Sequence, residues 1–139
     1  MVEKPRRSIL GSNTQLANPA GIQLDGLGRL VVSNTGTVSV APSITIYASS
    51  TITAGGNVAP VAQISGSNTG FSTPMQIVVD TLGTGTLYLA DATAAKVAVY
   101  ANLNTATGNI NTAPNRSISG AGTGLTAGGP TGVAVDNTR

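Results

Sequence analysis

The chain has no cysteine, no histidine and no tryptophan. Without cysteine it can form neither disulfides nor thiolate metal sites, and this fits an oxidising or a reducing compartment equally. Without histidine it carries no Ser-His-Asp triad and no imidazole metal site of its own. Charge is scarce as well: 9% of the 139 residues are Asp, Glu, Lys or Arg, against about 25% in an ordinary globular chain. Aromatic residues number four, Tyr47, Phe71, Tyr88 and Tyr100. No apolar run approaches the roughly 20 residues that a membrane-spanning helix needs, so no membrane span is expected. The N-terminus, MVEKPRRSILG, has charges but no apolar stretch after them, so no export signal is visible.

These shortages remove further classes of function. The net charge of +2 comes from seven basic and five acidic residues. Four of the basic ones (Lys4, Arg6, Arg7 and Arg139) lie at the chain ends. Nucleic-acid recognition calls for a dense basic stripe, commonly with aromatic stacking platforms, and no nucleic-acid partner is expected here. The glycine-rich run Gly120–Gly124 lacks the Lys-Ser/Thr pair and following helix of a phosphate loop. No cofactor and no metal are expected. Asn115-Arg116-Ser117 fits the glycosylation pattern, which matters only in a eukaryotic secretory setting that nothing else supports.

What is abundant is small and β-branched: 18 glycines, many Thr, Ser and Asn, and apolar positions filled mainly by Val, Ile, Leu and Ala. Disordered chains pair low hydrophobicity with high charge; this chain does neither. It reads as short strands joined by small-residue turns. The dominant feature is a repeat. The phrase PVAQISGSNTGFSTPMQIVVD (60–80) has near-copies at 5–25 and 114–136. The opening prolines Pro5, Pro60 and Pro114 are 55 and 54 residues apart, and the closing Asp25, Asp80 and Asp136 are 55 and 56 apart. A period of this size in a β-rich chain indicates a repeat array.

In chain order, residues 1–4 are a short leader and the repeats occupy 5–59, 60–113 and, in part, 114–139. Each full repeat predicts four strands. In the first they are Ser8–Leu10, Gly21–Asp25, Leu30–Asn34 and Ser43–Ala48. In the second they are Val61–Ser65, Met75–Asp80, Leu87–Asp91 and Lys96–Ala101. The third supplies Arg116–Ser119 and Thr131–Asp136. Asp25-Gly26-Leu27-Gly28 is a hairpin turn, widened to Leu82-Gly83-Thr84-Gly85 in the second copy. The linkers SSTITAGGNVA and NLNTATGNINTA carry Gly56-Asn57 and Gly108-Asn109 shortly before a proline. No segment holds apolar spacing of helical period, so the fold class is all-β.

The unit P-x-G-[IV]-x-[VL]-D, followed by G-x-L-[VY]-[VL]-[SA]-[ND] and a strand ending in I-Y-A or V-Y-A, resembles the NHL-type β-propeller blade of bacterial secreted and surface proteins. It appears at Pro19–Asp25 and Pro130–Asp136; Gln76 replaces the glycine in the middle copy, a change expected to loosen one turn. The resemblance implies four-stranded antiparallel blades, with the strand after the proline innermost and Arg7–Leu10 or Ala62–Ser65 outermost. Propellers have typically 4 to 8 blades, and this chain carries about two and a half. An incomplete ring leaves apolar sheet faces and strand edges open. Either the chain is a segment of a longer propeller, or copies self-associate through blade faces or edges, in the limit as an open filament.

The candidate site residues are the repeat-equivalent polar positions. Asp25, Asp80 and Asp136 could form a cation-holding ring at the channel mouth, or each could cap its own hairpin turn; the second reading is preferred. Asn34 and Asp91, after the next strand, could bind a ligand at loop tips or do turn chemistry. Arg7 and Arg116 could meet an anionic surface or blunt an exposed edge. Tyr47 and Tyr100 could form a sugar platform or pack between blades. No residue is assigned to catalysis. The expectation is a non-enzymatic extracellular or cell-surface scaffold or binding module. The competing expectation, a propeller lactonase or lyase with catalytic residues in further blades, is what the resemblance allows.

Overall fold

The computed structural model describes residues 7–136. The leader at 1–4, and with it Pro5 and Arg6 of the first phrase, lies outside the described residues. Among the described residues nine strands form two sheets. In the first sheet β1 (Pro19–Leu24), β2 (Leu30–Asn34), β3 (Ser43–Tyr47) and β4 (Ala62–Ser65) pair in order, antiparallel. The second repeats this plan with β5 (Pro74–Asp80), β6 (Thr86–Asp91), β7 (Lys96–Ala101) and, after the linker, β9 (Arg116–Ile118). The expected all-β class with antiparallel sheets is what forms. Both proline-led strands carry an irregularity just after the proline, between Pro19 and Gly21 and between Pro74 and Ile77.

The structure departs from the strand expectations in four places. The linker piece β8 (Gly108–Ile110) adds to the outer edge of β4, and it does so parallel, making the first sheet five-stranded and not purely antiparallel. The expected strand Ser8–Leu10 is reduced to a parallel bridge between Ile9 and Gly56. Residues 131–136, also expected as a strand, take no strand form; a strand is stabilised by a paired neighbour, and these residues have no strand partner among the described residues. Finally, the linker SSTITA folds as a short α-helix, α1 (Ser49–Ala54), anchored by buried Thr51 and ended at Gly55 with φ 67°. Its six residues are too few to show a periodic pattern in the sequence.

The sheets meet through their proline-led strands, β5 lying against β1 and β2. One core cluster joins Val31, Ile44, Ile46, Ala62 and Ile64 of the first sheet to Ile77, Val79, Leu87, Leu89, Ala98 and Tyr100 of the second. Period-2 alternation puts each set on one face of its sheet. The approach at β1 is close. A Cβ on Gly21 would lie 2.7 Å from the Met75 carbonyl oxygen, and Ser33 Oγ donates a hydrogen bond to that same oxygen. Gln76, at the corresponding position of β5, reaches the third copy instead: its Oε1 accepts a hydrogen bond from Val133 N at 3.1 Å. The substitution expected to loosen a turn therefore ties two copies together.

Candidate functional site

The first two of the three repeated carboxylates are turned onto their own chain. Asp25 is buried, and its Oδ1 accepts hydrogen bonds from Leu27 N and Arg29 N, both at 2.9 Å. Its Oδ2 pairs with Arg29 Nε at 2.7 Å. The rest of the Arg29 guanidinium crosses to the second repeat, where Nη1 and Nη2 donate to the carbonyls of Ala106 and Leu103 at 3.1 and 2.6 Å. Asp80, also buried, accepts from Leu82 N at 3.0 Å. Asp136 is exposed at the end of the third copy. No group of three or more His, Cys, Asp or Glu side chains placed to hold a metal ion occurs among the described residues.

Asn34 and Asp91 are completely buried and brace the loop that leads into the proline-led strand of their own repeat. Asn34 Oδ1 accepts from Ala17 N at 3.1 Å and its Nδ2 donates to Thr45 Oγ1 at 3.1 Å. Asp91 accepts from Ser72 N at 2.9 Å, from Thr73 N at 2.7 Å and from Ala94 N at 3.4 Å. The carboxylate suits a site with three donors; the amide suits one where a hydroxyl must be met on one side. Tyr47 and Tyr100 are buried as well. The Tyr47 hydroxyl donates to the Thr14 carbonyl, Tyr100 donates to the Thr112 carbonyl at 3.3 Å, and the Phe71 ring meets Tyr100 edge-on at 5.9 Å. Burial raises both tyrosine pKa values, and for Tyr100, with the Asp91 carboxylate adding to it, up to about 12. Arg116 is exposed on edge strand β9, and Arg7 is exposed at the first described position.

An apolar groove of about 500 Å³ lies on the face of the first sheet that points away from the second. Ile9, Leu16, Ile22, Leu30, Val32 and Ile52 are among its walls. This face is the repeat equivalent of the second sheet's core face. Ile22 lies opposite Val32 and Leu24 opposite Leu30, as Ile77 lies opposite Leu89 and Val79 opposite Leu87. In the second repeat these positions are sealed, Ile77 at 2% and Val79 at 4% exposure; in the first, Ile22 is 65% and Leu24 48% exposed. The other face behaves in reverse. Ile64 is 2% exposed beneath the second sheet, and its counterpart Ile118 is 57% exposed. Among the described residues the two sheets thus share one interface, and part of each half recurs exposed on the outward faces, at Ile22 and Leu24 on one and Ile118 on the other.

Exposed apolar positions on the end faces were expected from an incomplete set of repeats; which residues stay exposed, Ile22, Leu24 and Ile118, only the fold decides. One feature escaped the sequence reading, a recurrent asparagine. Asn57 Oδ1 accepts a hydrogen bond from Asn13 N at 2.8 Å, and Asn111 Oδ1 accepts one from Asn68 N at 2.9 Å. Asn111, not Asn109, is thus the counterpart of Asn57. The signal was in the text: Asn-x-Ala-Pro occurs at 57–60 and at 111–114, and GSNT at 11–14 and 66–69. Comparison with protein-family models, with curated proteins and with solved structures finds no match to this chain.

Proposed function

We propose that this chain is a non-enzymatic, extracellular β-propeller-type scaffold or binding module, of the NHL-like kind its repeat resembles, which works by association of its sheet faces. The observation that carries this reading is the exposure of Ile22 and Leu24 where Ile77 and Val79 are buried. Covering an apolar side chain of this size contributes about 1.5–3 kcal/mol, and contiguous apolar faces on a soluble chain mark interaction sites. The partner chosen is a second copy, because the face that seals Ile77 and Val79 within the chain is repeated, with Ile118 uncovered, at the far end. Such a contact is heterologous: each copy offers one half to the next, which builds an open filament or, if the rotation closes, a ring. Against catalysis stand the lack of histidine and cysteine and the commitment of Asp25, Asp80 and Asp91 to their own backbones.

Light scattering on the full chain over a range of concentrations tests this. The expected result is a mass that rises with concentration above the 13.7 kDa of one chain. Ile22→Thr with Leu24→Thr should return it to the monomer with an unchanged β circular-dichroism spectrum. A monomer at every concentration would overturn the reading.

A further inference from the structure

A different surface, independent of the sheet faces, is defined by what fills its two counterparts in the same chain. At the first, Gly56 runs parallel to Ile9: Gly56 N donates to Ser8 O at 2.7 Å and Leu10 N donates to Gly56 O at 3.2 Å. Asn57 then folds its carboxamide into the space beside Gly11, where a Cβ would lie 2.4 Å from Asn57 Cγ. At the second, β8 runs parallel to β4, with Ala62 opposite Gly108 and Ile64 opposite Ile110. Asn111 fills the space beside Gly66, 2.5 Å from where a Cβ would be. In both, the segment continues as Asn-x-Ala-Pro. The pattern is strand addition followed by a carboxamide plug.

The third copy has the same receiving parts. β9 corresponds to Ala62–Ile64, and among the described residues it pairs with β7 alone. Gly120 keeps the backbone of its counterparts, φ 97° against 116° at Gly11 and 112° at Gly66. The Thr123 hydroxyl donates to Gly120 O at 2.7 Å and accepts from Leu125 N at 3.2 Å. Thr69 does the same with Gly66 and Phe71, at 2.8 and 3.3 Å. Yet nothing lies within 4 Å of a Cβ placed on Gly120. Gly122 stands where Asn13 and Asn68 stand, which keeps the backbone N–H that the carboxamide meets. Arg116 does not bar an incoming strand, for Arg7 occupies the same repeat position beside the filled first site.

We propose that the outer edge of β9 with the Gly120 hollow is a docking site for an extended peptide segment of the form x-x-x-Asn-x-Ala-Pro. It would add parallel to β9 by main-chain hydrogen bonds and seat its asparagine beside Gly120. The occupant is a segment outside the two filled sites, because in this chain, and so in a second copy, 57–60 and 111–114 already serve their own repeats. The main chain supplies affinity and the asparagine supplies selection, since a side chain without the amide leaves the hollow and its N–H unfilled.

The test is titration of the ¹⁵N-labelled full chain with the peptide Thr-Gly-Asn-Ile-Asn-Thr-Ala-Pro, the sequence of residues 107–114. Saturable shifts confined to the amides of 117–125 are expected. Alanine in place of the peptide's second asparagine should weaken binding at least about tenfold. Gly120→Val, which fills the hollow, should abolish the shifts. Ser119→Pro, which removes the strand-pairing N–H, should do so too if the valine variant loses its local fold. No shift at millimolar peptide, shifts elsewhere, or equal affinity for the alanine peptide would overturn the proposal.

Discussion

Asp91 shows how completely a single side chain can be committed to structure. Three backbone N–H groups converge on its two oxygens in a fully buried place. Asp91→Asn keeps the size but must turn an NH2 group toward one of those donors, so we expect a loss of about 1–3 kcal/mol, read from urea unfolding. Tyr100 gives a pH dependence. Its folded-state pKa, raised by burial to about 12 from the ordinary 10.0, means that the native state holds the phenolic proton more tightly than the unfolded chain. Its contribution is therefore complete below pH 10, and stability falls as pH rises from about 10 to about 12. Urea midpoints measured across that window should show the fall, and Tyr100→Phe should make it shallower, with the raised pKa of Tyr47 supplying part of what is left. The sequence showed that Asp25, Asp80, Asn34 and Asp91 recur. It could not show that Arg29 links Asp25 to Leu103 and Ala106, because that bridge spans more than seventy residues.

Among the elements, strands were the most legible. β2, β3, β6 and β7 have regular alternation or continuous β-branched runs, and the chain folds them nearly where the pattern put them. β8 was not legible: Gly108-Asn109-Ile110 has little strand character, and it is a strand because β4 offers it an edge. The threonine turns make a test at this scale. Thr69 is buried and its hydroxyl bridges Gly66 O and Phe71 N, whereas Thr123 makes the equivalent bonds in an exposed setting. Water can replace the second hydroxyl but not the first. Thr69→Val should thus cost about 1–2 kcal/mol, and Thr123→Val should leave the unfolding midpoint almost unchanged.

At the scale of the molecule, the contact between the sheets depends on how closely the proline-led strands approach. Gly21 has no Cβ to strike the Met75 carbonyl. Gly21→Ala should force β1 and β5 apart and cost about 1–3 kcal/mol, visible as a lowered urea midpoint and faster amide exchange in both strands. The same layered arrangement explains why the two ends differ from the middle. A blade-like sheet has two apolar faces and needs a neighbour on each. Two sheets provide one shared contact and leave the outward face of each only partly covered: Val32, Tyr47, Ala90 and Val99 are buried there, while Ile22, Leu24 and Ile118 stand exposed.

The sequence alone determined the β class, the repeat and its spacing, the pairing partners within each hairpin run, and the exclusion of histidine- and cysteine-based chemistry. These depend on local patterning and on residue types, which are present in the text. Tertiary structure decided which repeat-equivalent residues are buried, that linker pieces add to the outer strands in parallel, and that an asparagine plugs the hollow beside Gly11 and Gly66 but not beside Gly120. Those outcomes depend on the neighbour each copy meets, and similar phrases in a repeat meet different neighbours.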